Sequence, residues 1–332
     1  MANVVGGIGM SHAPGILGWP DAPPQDVRDR INVALETIKS GLDAACPDVI
    51  VAFLDDHFDN HYRSLMPTFA VGIAERHAGP GEHYLEMLRI DRKRWVPSLP
   101  ELAEHLLTGL ISDGFDVARM GEIEYGNNLM VPLYLVRPEL DIPIVPVFIN
   151  VFTPPLPTVD RAYRLGEAVA RALDGREERV AYLATGGLSH WPPIWVPRSD
   201  DDDTFLKRMK RFQTEGRAVL EDDPGLFTDL GKYEIEMAAT SPVPLVNADW
   251  DRAFLGALGR GDSDWIRNLS YDEVEEQAGH GGHEILNWAA LMGAMGGARA
   301  DVLNYEPVTE WICGMGFATY GCDGTFGSLQ PR

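Results

Sequence analysis

Three histidines in this chain stand in the same relation to short apolar runs. His12 follows Val4–Met10, His57 follows Asp48–Leu54 through Asp55 and Asp56, and His190 follows Arg179–Thr185 through Gly186-Gly187-Leu188-Ser189. A single such histidine is most often a hydrogen-bonding or capping residue, but recurrence at equivalent points of three strands places imidazoles where they can converge. A site of imidazoles and carboxylates without thiolate suits Fe(II), Zn(II) or Mn(II). Two histidines and one carboxylate on one face of a metal leave positions open, the usual arrangement for iron(II) that activates O2. The residues alone leave the carboxylate open among Asp55, Asp56, Asp59 and Glu284. Glu284 opens the helical stretch His283–Met295, where an acid also complements the helix dipole. His280 and His283 rival the other histidines as ligands, whereas His61, His77, His83 and His105 read as structural or surface residues.

The elements that must hold these side chains follow from hydrophobic patterning. Short Val- and Ile-rich runs alternate with amphipathic stretches, the signature of α/β architecture. Strands are expected at Val4–Met10, Asp48–Leu54, Pro67–Gly72, Asp116–Met120, Ile142–Ile149 and Arg179–Thr185, and helices at Ala22–Ala45, Leu99–Ser112, Val159–Leu173, Asp203–Leu220 and His283–Met295. Ile142–Ile149 is apolar nearly throughout, as a strand covered on both faces would be. In open α/β sheets ligands bind beyond the carboxyl ends of the strands, which is where the three histidines fall. No internal repeat or Pro/Gly-rich gap divides the chain, so a single elaborated domain over 1–332 is expected. The acidic run Asp200–Asp203 reads as a solvated loop.

Charge and composition exclude other classes. The 332 residues carry 50 acidic against 28 basic side chains, a net charge of -22, and no Lys/Arg cluster that would neutralise phosphates, so nucleic acid is not an expected partner. Cys46, Cys313 and Cys322 form neither a C-x-x-C pair nor an even set, which fits a reduced, cytoplasmic protein. No apolar run approaches the ~20 residues that span a bilayer, and the N-terminus lacks the pattern of a signal peptide. The stretch from Gly7 to His12 has a histidine where a dinucleotide fingerprint needs its third glycine. Gly187-Leu188-Ser189-His190-Trp191 lacks the closing glycine of a nucleophile elbow.

Four segments, GIGMSHAPG, FLDDHFDN, ATGGLSHWP and GGHEILNWAALMGAM, resemble in order and approximate spacing the class III extradiol dioxygenases. The likeness is strongest over 1–296; 297–332 stands as a C-terminal extension, although EPVTEWICGMG within it also looks like family sequence. The resemblance implies a central mixed sheet covered by helices on both faces, with Fe(II) held by His12, His57 and Glu284. It makes His190 the acid/base beside a bound catechol. Some relatives have Asp-His-Gly where this chain has Glu124-Tyr125-Gly126, which puts Tyr125 in the place of a proton-handling histidine. A tyrosine, with a pKa near 10, is a poor proton acceptor at neutral pH. Asp55 and Asp56 are candidates to orient a ligand imidazole from behind, and Trp191 and Trp195 to wall an aromatic pocket. The expected reaction is extradiol cleavage of a catecholic compound, an aromatic acid foremost, by O2. The expected assembly is a homo-oligomer, or a chain paired with a separate small helical subunit. A zinc or manganese hydrolase or lyase on the same ligands, and a non-catalytic partner-binding relative, are the alternatives.

Overall fold

The structure is a computed structural model that describes residues 3–192, 194 and 203–321. Ten strands are present among them. They are β1 (Asn3–Met10), β2 (Val49–Leu54), β3 (Phe69–Gly72), β4 (Arg76–Gly79), β5 (Arg94–Pro97), β6 (Val117–Met120), β7 (Ile144–Ile149), β8 (Arg179–Thr185), β9 (Asp301–Val308) and β10 (Cys313–Gly321). Eight of these build one mixed sheet in the order β6-β3-β7-β2-β8-β1-β10-β9, and β4 and β5 pair in a small separate hairpin. The four central strands, β7, β2, β8 and β1, run parallel. Their carboxyl ends therefore share one edge, and the loops that follow Met10, Leu54, Ile149 and Thr185 meet there.

Every residue of β2 and β7 is buried, as the unbroken apolar runs require of strands covered on both faces. Helix Ile285–Ala294 packs against Val159–Ala172 and against β1, β2 and β8, while Gln25–Ala45 packs against β1, β9 and β10 and against Asn127–Val136. All ten residues of Ile285–Ala294 are buried, the condition expected of a helix that is apolar on every side. Its contact with Val159–Ala172 depends on two glycines. A Cβ at Gly166 would stand 1.8 Å from the Ala290 carbonyl oxygen, and one at Gly293 would stand 2.0 Å from that of Tyr163. That close crossing fixes the axis of the helix that Glu284 caps at its N-terminus.

The structure departs from the sequence expectations at particular places. The stretch Asp203–Leu220 is not one helix: it is Thr204–Glu215, capped by Asp203 and stopped at Gly216 with φ 84°, followed by a short turn Val219–Asp222. The helix expected to open at His283 begins instead as a 3-10 turn, Gly281–Glu284, before Ile285–Ala294. The stretch beyond 296 is no appendage, since β9 and β10 complete the sheet beside β1. Among the described residues no helix is long and apolar enough to cross a membrane.

Candidate metal centre

The turn after β1 places His12, and Ser11 fixes it. The Ser11 amide donates to the Gly316 carbonyl at 3.0 Å, its hydroxyl to the Gly314 carbonyl at 3.2 Å, and the Gly316 amide donates back to the hydroxyl at 3.0 Å. β10 thus pins the loop that carries the first histidine. The turn after β2 places His57, and Asp56 shapes it. Its carboxylate accepts from the backbone amides of Asn60 and His61, at 3.0 and 2.6 Å, and from the Asn60 side chain at 3.0 Å. Asp56 therefore builds the backbone of this turn and pairs with His61, not with the imidazole of His57.

Glu284 arrives from the opposite direction, on the turn that leads into Ile285–Ala294. Two side chains of that helix fasten it to the strand ends. Asn287 donates to the Thr185 carbonyl at 2.8 Å and to the Asp55 carboxylate at 2.9 Å, and the Trp288 indole donates to the Gly186 carbonyl at 3.0 Å. The outer carboxylate oxygen of Glu284 accepts a hydrogen bond from the Gly187 amide. Its inner oxygen, Oε1, lies 3.4 Å from His12 Nε2 and 3.3 Å from His57 Nε2. Asp55 Oδ2 faces the same His57 nitrogen at 3.2 Å.

His12, Asp55, His57 and Glu284 each offer a ligand atom within 4.8 Å of the others, and all four are buried. Burial opposes ionisation of Glu284, yet the imidazoles of His12 and His190 outweigh it and hold its carboxyl well below the usual range. Burial and the Glu284 carboxylate push Asp55 up to about 6. Burial disfavours the His57 cation, but Asp55 and Glu284 overcome it and raise its pKa to about 9. The cluster thus attracts positive charge strongly. A divalent cation meets that demand: two imidazole nitrogens and a carboxylate oxygen converge, while Asp55 Oδ2 accepts no hydrogen bond among the described residues.

His190 stands at the rim of this cluster. Its Nδ1–H donates to the Leu188 carbonyl at 2.8 Å, which leaves Nε2 as the lone-pair nitrogen, 3.8 Å from Glu284 Oε1. Burial lowers its pKa from the ordinary value, more than the nearby Glu284 carboxylate raises it, so a neutral, basic ring faces the site. The loop is held by Asp251, whose carboxylate accepts from the Ser189 amide and hydroxyl, both at 2.8 Å, and from the Tyr305 hydroxyl at 2.7 Å. β10 runs alongside, and a Cβ at Gly314 would lie 2.0 Å from Asp251.

A cavity with about 610 Å³ of atom-free space, partly open to solvent, joins His12, His57, His190 and Glu284. Its far wall is apolar, built from Met87, Met209, Phe227, Leu230 and Trp311. Asn127, Glu234 and Cys313 also line it, and the ring of Phe152 stacks on His57 at 5.3 Å. Sequence reasoning missed Asn127, Glu234 and Asn287. The last was legible as the one polar residue inside the run ILNWAALMGAM.

Other expected residues are placed elsewhere. Tyr125 is fully buried and packs edge-on to His77 at 5.5 Å, but it does not line the cavity. Trp191 is partly buried near Gly279 rather than on the cavity wall, and Trp195 lies outside the described residues. His280 and His283 turn away from Glu284 and meet Glu275 at 2.9 and 3.0 Å.

The chain is similar to known proteins over most of its length. Residues 6–316 match the family described as the catalytic LigB subunit of aromatic ring-opening dioxygenase. A 2,3-dihydroxyphenylpropionate/2,3-dihydroxicinnamic acid 1,2-dioxygenase from Rhodococcus jostii (strain RHA1) is 32% identical over 318 residues, 93% of this chain and 96% of its own length. The enzyme of that name from Escherichia coli O139:H28 is 31% identical over 319 residues, 92% of this chain and 95% of its own length. Among solved structures, an uncharacterized protein from Escherichia coli K12 superposes with a TM-score of 0.47 at 15% identity, covering 96% of this chain and 100% of that one. With the family pattern running from β1 into β10, the chain belongs to the LigB family and is an extradiol ring-cleaving dioxygenase acting on a catecholic substrate.

Proposed function

We propose that the enzyme holds Fe(II) through His12, His57 and Glu284 and opens a catechol that carries a ring substituent, with His190 handling the protons. One observation carries this reading: both Nε2 atoms lie within 3.4 Å of Glu284 Oε1, in the cavity that His190 also lines. Bound iron(II) supplies Lewis acidity toward the catechol oxygens and electrons toward O2. The protein does the rest. His190 Nε2, unprotonated at neutral pH because Nδ1 carries the proton toward Leu188, accepts a proton from a substrate hydroxyl and returns it as the ring opens. Phe152 keeps the His57 ring in plane, and the Gly187 amide fixes the Glu284 carboxylate. The apolar far wall excludes water from the reacting carbon and receives the ring and its substituent. The substrates named for the two relatives, catechols with a three-carbon side chain, support a substituted ring.

The test is O2 uptake by anaerobically reconstituted protein given a panel of substituted catechols, with His12→Ala as control. One O2 consumed per catechol, with a yellow ring-opened product lost in the variant, is the expected result. Turnover with zinc and without O2 would overturn it.

A further inference from the structure

The helix Leu226–Thr240 turns its buried face to the cavity, and Phe227, Leu230 and Glu234 fall on it at i, i+3 and i+7. The first two are apolar, as that register demands. The third is a carboxyl group at a position where leucine or methionine would complete the stripe. Glu234 is 7% exposed, and no hydrogen bond or ion pair engages it among the described residues. An acid placed so costs stability unless it is protonated or meets a partner. Burial, against the opposing pull of the His57 imidazole, pushes it up to about 8, which favours the neutral carboxylic acid at neutral pH, with one O–H to donate and a carbonyl to accept. Residues that break the local pattern in this way tend to mark function.

The surroundings narrow what Glu234 meets. Met87, Met209, Phe227, Leu230 and Trp311 form the apolar wall around it, and no Lys or Arg lines the cavity among the described residues. Among the described residues, a carboxylate brought there would lose its hydration and meet a second acid and no Lys or Arg. A hydrogen-bonding group without negative charge would satisfy both itself and Glu234. We propose that Glu234 forms the subsite for the ring substituent, and that this substituent donates a hydrogen bond and is not anionic: an amide, an alcohol or an amine. This inference rests on the ring-cleavage reading above and departs from the aromatic acid expected from the sequence.

A matched series tests it: 3-(2,3-dihydroxyphenyl)propionate, its primary amide and the corresponding alcohol, each titrated anaerobically into Fe(II)-loaded enzyme. The amide and the alcohol are expected to bind at least about tenfold more tightly than the acid, the scale of one satisfied buried hydrogen bond. Glu234→Leu should weaken the amide about tenfold, and Glu234→Gln, which keeps a donor and an acceptor in place, should restore it. Tightest binding of the acid to the wild-type enzyme would overturn the proposal, and so would a cooperatively folded Glu234→Leu enzyme with unchanged affinity for the amide. O2 uptake with the same compounds reports separately on the reaction. Preferred binding of the amide without uptake would sink the ring-cleavage reading and leave the subsite standing, and uptake with the acid preferred would do the reverse.

Discussion

Two clusters of histidine and carboxylate lie on either side of one short turn, and they differ in what their nitrogen atoms face. In the first, the Nε2 atoms of His12 and His57 point at the same Glu284 oxygen from 3.3 to 3.4 Å, at the end of a cavity. In the second, Glu275 sits between His280 and His283, and each nitrogen in play has a close partner. His280 Nδ1 meets Glu275 at 2.9 Å and its Nε2 meets the Phe152 carbonyl at 3.0 Å, while His283 Nε2 meets the same Glu275 oxygen at 3.0 Å. None of the three lines the cavity. Both clusters have ligand-like spacing, so residue type and proximity do not separate a metal centre from a hydrogen-bonded brace. Convergence of lone pairs at a cavity does. The brace still serves the centre, because the Phe152 carbonyl it holds belongs to the residue whose ring stacks on His57.

The comparison breaks most sharply at the ligands. Glu284→Gln should abolish both iron binding and ring cleavage, whereas Glu275→Gln should leave one iron per chain, as metal analysis after anaerobic loading would show. Next, His190→Ala should lower kcat about 10²–10⁴-fold with iron retained; loss of the metal in that variant would make His190 a ligand. Asn287→Ala removes the bonds to Asp55 and Thr185, and iron affinity should fall about 10–100-fold with the ligands intact. His280→Ala, on the brace, should cost about 1–3 kcal/mol of stability in urea unfolding while iron stays bound.

A pH effect separates the scaffold from the site. Burial lowers the His77 pKa to about 4, and its Nδ1 accepts the Ile123 amide, a role the protonated ring cannot fill. The folded pKa lies below the unfolded one, so the unfolded chain takes up the proton first. The contribution of His77 is complete above pH 6.5 and is lost as pH falls toward 4, about 3 kcal/mol in all. His77→Gln should flatten that part of the stability profile, and an unchanged profile would show that the ring titrates normally.

The parts of this molecule legible in the sequence are those governed by local periodicity. Arg179–Thr185 is a strand over the expected bounds, and the other five expected strands are shifted by one or two residues at their starts. The histidines could be found because they follow parallel strands whose carboxyl ends share an edge. β10 was hidden because Gly314 and Gly316 break its apolar run, and they are glycine because Asp251 and Leu188 press against the strand. Glu234 was hidden for a different reason. Attention to strand ends leaves out helices, and its i+7 register to Phe227 matters only once that helix is known to face the cavity. Tyr125 shows the converse: a plausible alignment put it beside the substrate, but its ring packs against His77 and does not line the cavity.

The most direct test of the central claim is anaerobic calorimetric titration of Fe(II) into the wild-type enzyme, Glu284→Gln and Glu275→Gln. One site in the wild type, lost in Glu284→Gln and kept in Glu275→Gln, is the result this account predicts. Binding that survives in Glu284→Gln and disappears in Glu275→Gln would move the metal to the other cluster and contradict it.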